Sequence, residues 1–185
     1  GKTFLLTNSW PPEDYFLFTA ARVTPEANRA QLIRDLAAWS GLDLRPSDYP
    51  SWRTVFDLLL SLPPDRPRVL VLDEFQYLAE DEQGVAAVAS ELNAAWERPR
   101  GEKPLLMVLA GSVISTMEAM AKGGAPLYGR FAWQHKLEPF DYWYAAEAAS
   151  FSGLRDRAIA YGAFGGTPRY LAAIDSGSSL AENIQ

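Results

Sequence analysis

The sequence predicts a doubly wound α/β domain, a parallel sheet with helices on both faces, that runs into an all-helical segment. Three observations carry this. Residues 68–78 read RVLVLDEFQYL, where Val69, Leu70, Val71 and Leu72 form an apolar run too short for a buried helix and suited to a strand covered on both faces. Residues 105–110, LLMVLA, repeat that character and end in Gly111-Ser112. Strand-like and helix-like stretches alternate to about residue 138, after which only helical patterns remain. The expected division is therefore an α/β domain over residues 1–138 and a helical segment over 139–185.

In chain order, a helix is expected from Thr3 to about Ser9, stopped by Pro11-Pro12. YFLFTA, residues 15–20, is aromatic and β-prone and reads as a strand. Thr24-Pro25 pairs a capping residue with a proline suited to a first helical turn. Leu32, Ile33, Leu36 and Trp39 share one face of that helix, and Gly41 ends it. Ser51 caps a further helix with Trp52, Val55, Phe56 and Leu59 on one side, closed by Pro63-Pro64. Asp81 caps the next, with Val85, Val88, Leu92 and Trp96 inward. Arg98 to Pro104 is a charged loop, and the strand at 105–110 is expected to be buried on both faces. A short helix over 114–121, a break at Gly123-Gly124 and a strand at 133–137 follow. Helices are then expected at 141–152, 154–164 and 170–175, interrupted at Gly165-Gly166-Thr167-Pro168.

Composition narrows the chemistry. The chain of 185 residues contains no cysteine, which removes disulfides and thiolate metal sites. His135 is the one histidine, so no His-rich metal cluster can form; it reads as a strand or surface residue. A net charge of −6 argues against direct nucleic-acid binding, which normally shows a basic footprint. No apolar run reaches membrane-spanning length.

Two motifs carry a candidate site. Gly1-Lys2-Thr3 ahead of Phe4-Leu5-Leu6 matches the end of a phosphate-binding loop, G-x-x-x-x-G-K-[ST], entering a helix. The first glycine of that pattern is expected five residues before Gly1, preceded by the strand that feeds the loop, so the chain reads as one that starts inside its own motif. Asp73 and Glu74 follow the buried apolar run directly, which places both at the carboxyl edge of the sheet, where open α/β folds bind ligands. Phosphoryl transfer is mostly positioning and charge neutralisation. In that chemistry Lys2 meets the β- and γ-phosphates, and Thr3 and Asp73 hold Mg²⁺. Glu74, one residue on and pointing differently, polarises the attacking water. Ser112 reads either as a contact to the γ-phosphate or the water, or as a serine capping its own turn. Arg130 reads as an arginine finger or as half of a surface ion pair. Pro168 and Tyr170 read as adenine contacts or as an interhelical turn with a buried tyrosine.

GKTFLL, VLVLDEFQYL, VLAGSVISTM, PLYGRF with QHKLEPF, and AFGGTPRYL stand in the order found in archaeal-type P-loop ATPases. The chain resembles that family, part of the STAND class of signal-transduction ATPases related to AAA+ proteins, from residue 1 to about 175. The resemblance implies a sheet of the P-loop NTPase type followed by the start of a helical lid, with ATP and Mg²⁺ as ligands. It implies Walker A roles for Gly1, Lys2 and Thr3 and Walker B roles for Asp73 and Glu74. It also implies a γ-phosphate-sensing Ser112, a candidate finger at Arg130, and Pro168 near the adenine. The family implies further winged-helix or nuclease-like domains in the same polypeptide; a cytoplasmic location and a homo-oligomer are separate expectations. Two functions follow: Mg-dependent ATP hydrolysis driving a conformational cycle in a larger signalling protein, or a nucleotide-dependent switch or scaffold with little turnover. The departure from the family pattern is the absent front of the phosphate loop.

Overall fold

The computed structural model describes residues 2–63, 68–98, 104–149, 153–175 and 177–184. The chain divides into two compact units: Leu5–Gln134, and residues 1–4 together with His135–Gln185. The helix α1, Lys2–Asn8, contributes to both.

The larger unit is built on three parallel strands in the order β1-β2-β3. They are β1 (Tyr15–Thr19), β2 (Val69–Asp73) and β3 (Leu106–Leu109). Every residue of β2 is buried, because the strand is central and both of its faces are covered. Alternation of side chains along β2 assigns them to two cores. Leu70 and Leu72 join Phe16 and Phe18 in the main core, with residues of α2 (Pro25–Ser40), α3 (Trp52–Ser61) and α4 (Glu82–Trp96). Val69 and Val71 face the other way and pack with Leu6 of α1.

Local signals set the helix boundaries. The Thr24 side chain accepts from Ala27 N–H at 3.3 Å with Pro25 in the first turn, and Gly41 N–H returns to Ala37 O at 2.8 Å. Ser51 and Thr54 form a reciprocal capping box on α3, and Asp81 accepts from Gly84 N–H at 2.7 Å to open α4. Leu32, Ile33, Leu36, Val55, Phe56 and Leu59 are fully buried, the faces that helical spacing marks.

Two expectations fail in this unit. The stretch 105–110 is not a doubly buried strand: β3 has only four residues and Leu106 is 50% exposed. Among the described strands β3 pairs with β2 alone, so its outer side lacks the neighbour that encloses β2. Residues 133–137 form no strand: they join no ladder, and Trp133 is 76% exposed. A short extended stretch without a partner edge does not make a strand. His135 lies on the surface. A feature the sequence did not suggest is a 3₁₀ turn over Phe75–Leu78, directly after Glu74. The short helix α5, Ile114–Ala121, follows β3 as expected.

The smaller unit contains α6 (Tyr142–Ala148), α7 (Leu154–Phe164), α8 (Pro168–Leu171) and α9 (Leu180–Ile184). Asp141 opens α6 by accepting from Trp143 and Tyr144 N–H. Ala145, Ala149 and Leu171 form its small core, bordered by Tyr161, Phe164 and Ile174. Gly166 lies against the backbone of Phe140, whose N–H donates to Gly166 O at 2.8 Å, and a Cβ at Gly166 would collide with that backbone. The helix expected over 170–175 is instead the single turn α8, started by Pro168 at its first position. Gly1, Pro64 and parts of the expected 98–104 loop and 141–152 helix lie outside the described residues. Among the described residues, no helix is long and apolar enough to cross a membrane.

Candidate functional site

The carboxyl end of β2 is held by backbone on both sides. Ala20 N–H donates to Asp73 O at 2.9 Å, extending the β1 ladder. On the other side Ala110 N–H donates to Leu72 O and Phe75 N–H donates to Ala110 O, both at 2.9 Å. Just past this clamp the chain turns sharply. Glu74 adopts φ +54°, ψ +43°, the one left-handed non-glycine conformation among the described residues. Such a backbone costs on the order of 1–3 kcal/mol and persists only where surroundings enforce it.

Two buried side chains enforce it from below. Asn28 of α2, 1% exposed, donates to Tyr77 O at 2.7 Å and to Ala21 O at 2.9 Å, and accepts from Ala21 N–H at 2.9 Å. Trp52 of α3 donates through Nε1 to Leu78 O at 3.1 Å. The last two carbonyls of the 3₁₀ turn after Glu74, those of Tyr77 and Leu78, are therefore satisfied by side chains of α2 and α3, which fixes the turn against the main core.

Asp73 is 1% exposed, and its Oδ1 accepts from Glu74 N–H at 3.0 Å. Glu74, partly exposed, swings toward the end of β3. Its Oε2 accepts from Ser112 Oγ at 2.7 Å, from Ser112 N–H at 3.3 Å, and from Gln76 Nε2. Gln76 Nε2 also donates to Ser112 Oγ at 3.1 Å. The Ser112 hydroxyl is thus given to Glu74. Asp73, Glu74 and Ser112, three residues picked out from sequence, meet at one sheet edge, with the two carboxylates serving different neighbours.

The other predicted residues fall elsewhere. Arg130 donates through Nε to Asn93 Oδ1 on α4 at 3.1 Å and pairs through Nη2 with Glu97, the residue that caps the end of α4. Lys2 and Thr3 occupy the first turn of α1, and Pro168 opens α8; these belong to the smaller unit. Tyr170 is exposed rather than buried. Gly1 lies outside the described residues. Sequence reasoning missed Gln76 and Asn28. Gln76 carried a signal, a carboxamide two positions after the acidic pair, whereas Asn28 had none in its own helix.

A buried carboxylate oxygen, as at Asp73, is a donor that suits a hard cation better than a soft one. Mg²⁺ is typically held by one or two carboxylates with water and substrate phosphates, so a single Asp73 oxygen fits it.

No family model matches the chain, and no curated protein matches it. Among solved structures it is similar to a Walker-type ATPase of Pyrococcus abyssi, with a TM-score of 0.65 at 21% sequence identity over the whole of this chain. The chain spans 62% of that protein's length.

Proposed function

With a fold shared with a Walker-type ATPase as the starting point, we propose that this chain is the nucleotide-binding core of a Mg-dependent ATPase of the archaeal P-loop type, within the STAND class. The observation that supports it best is the end of β2, where buried Asp73 and outward-turned Glu74 stand side by side and Glu74 is bonded to Ser112 on the next strand. In this reading Gly1, Lys2 and Thr3 take the β- and γ-phosphates. Mg²⁺, held by Asp73 and Thr3, supplies charge neutralisation at those phosphates. Glu74 accepts the proton of the attacking water, and Ser112 orients Glu74 and contacts the γ-phosphate. Pro168 borders the adenine. Residues 1–138 form the ATPase domain and 139–185 the start of its lid. ATP turnover in a cytoplasmic, homo-oligomerising protein with further domains, with Arg130 as a finger acting within its own chain or across to another subunit, belongs to the same proposal.

A second reading, a nucleotide-dependent switch with slow turnover, draws on one observation: Arg130 is engaged by Asn93 and Glu97 of its own chain. Calorimetry of ATP and ADP binding with and without Mg²⁺, together with phosphate release by the full-length protein, tests both. Mg-dependent ATP binding with turnover supports the ATPase, binding without turnover supports the switch, and no nucleotide binding overturns both.

A further inference from the structure

Gln76 is 8% exposed, and its Oε1 is buried without a hydrogen-bond partner. Buried amide oxygens are normally satisfied, so the orientation of this carboxamide is set by its other end. There both Nε2 hydrogens are used, one on Glu74 Oε2 and one on Ser112 Oγ. With the Ser112 hydroxyl also donating to Glu74 Oε2, the three side chains close a triangle of hydrogen bonds. The space for it depends on Gly111: a Cβ there would lie 2.5 Å from Gln76 Oε1 and 2.7 Å from Met117 Sδ.

We propose that Gln76 is a positioning residue for Glu74, and that Gly111 is its seat. The carboxamide holds the Glu74 carboxylate against the end of β3, which fixes the direction of the whole carboxyl group. Oε2 accepts three donors, from Gln76 Nε2, Ser112 N–H and Ser112 Oγ, which pins that oxygen to the end of β3. The backbone at Glu74 is left-handed, and its side chain lies in this triangle. The two neighbouring acids meet different donors: Asp73 Oδ1 accepts from Glu74 N–H, while Glu74 Oε2 is carried across to Ser112. Gln76 touches neither substrate nor metal in this account; it acts through Glu74.

This inference rests on the role given to Glu74 above, and the test separates the two. In the full-length protein, Gln76→Met keeps length and volume but removes both donors. Single-turnover ATP hydrolysis should fall about 10-fold or more, the scale of hydrogen bonds to a charged group, with ATP Kd unchanged. Gly111→Ala, which evicts the carboxamide from the opposite side, should reproduce that split. The second readout needs no nucleotide: the Gln76 side-chain amide resonances, assigned by their loss in Gln76→Met, should move in Glu74→Gln and in Ser112→Ala. Amide resonances indifferent to both substitutions, or turnover unchanged in a folded Gln76→Met protein, overturn the positioning role. A wild-type protein that hydrolyses no ATP while the amide resonances respond as stated overturns the ATPase reading and leaves the hydrogen-bonded triangle standing.

Discussion

Ser112 Oγ donates to Glu74 Oε2 across 2.7 Å, joining the ends of two neighbouring parallel strands from positions 38 apart in sequence. Removing that hydroxyl takes a donor from a charged acceptor without disturbing the strand ladder. Ser112→Ala is expected to lower the hydrolysis rate about 10–100-fold, with the melting temperature nearly unchanged because the residue is exposed. Stopped-flow phosphate release and a thermal scan check this; a rate equal to wild type would return Ser112 to the role of a local turn residue.

Asn28 braces the turn that carries Glu74. Asn28→Ala removes three hydrogen bonds and leaves the Tyr77 and Ala21 groups without that partner. The expected loss of stability is about 3 kcal/mol, or a fall in Tm of about 6–12 °C for a chain of this size. Denaturant and thermal unfolding measure it. A loss below about 1 kcal/mol would mean that water replaces the amide.

Arg130 presents two separable outcomes. Its pairing with Glu97 and Asn93 is exposed, so Arg130→Ala should cost no more than about 1 kcal/mol in stability. As a finger it should leave ATP affinity intact while lowering kcat about 10³-fold, and wild-type activity should rise with protein concentration if the finger reaches another subunit. An unchanged kcat would leave Arg130 as a brace on α4.

The C-terminal turn should loosen in acid. Asp175 accepts from Gly177 N–H and Ser178 Oγ, which hold its carboxyl below the ordinary value of 3.8; Glu182 accepts from the Ser179 hydroxyl and N–H, which hold it below 4.5. Both are depressed in the folded state, so their contribution is present above the ordinary values and lost as pH falls through the folded ones. Amide exchange and chemical shifts over Asp175–Ile184, followed down from pH 5, should show α9 fraying before the β-sheet unit responds. Fraying that begins on raising the pH instead would contradict the assignment.

What the sequence disclosed depended on range. Thr24, Ser51 and Asp81 cap helices through donors within three residues, so their roles are written locally. The burial of β2 and the adjacency of Asp73 and Glu74 were equally visible, because an apolar run ending in acids has few other homes in an α/β fold. Asn28 was hidden: its decisive partner, Tyr77, lies 49 positions away. Gln76 was overlooked because its function depends on Ser112, 36 positions on, and on the room left by Gly111. The error at 133–137 has a related cause, since a strand needs a partner edge and none is written in the local residues.

The central claim is that Asp73 and Glu74, neighbours on one strand end, do different work. Single-turnover hydrolysis and ATP affinity with and without Mg²⁺, measured for Glu74→Gln and Asp73→Asn in the full-length protein, address it directly. Glu74→Gln keeps shape and removes the base, so hydrolysis should fall about 10²–10⁴-fold while Mg-ATP binding survives. Asp73→Asn should instead erase most of the gain in affinity that Mg²⁺ confers. Near-normal turnover in Glu74→Gln, or an unaltered Mg²⁺ dependence in Asp73→Asn, would contradict the account.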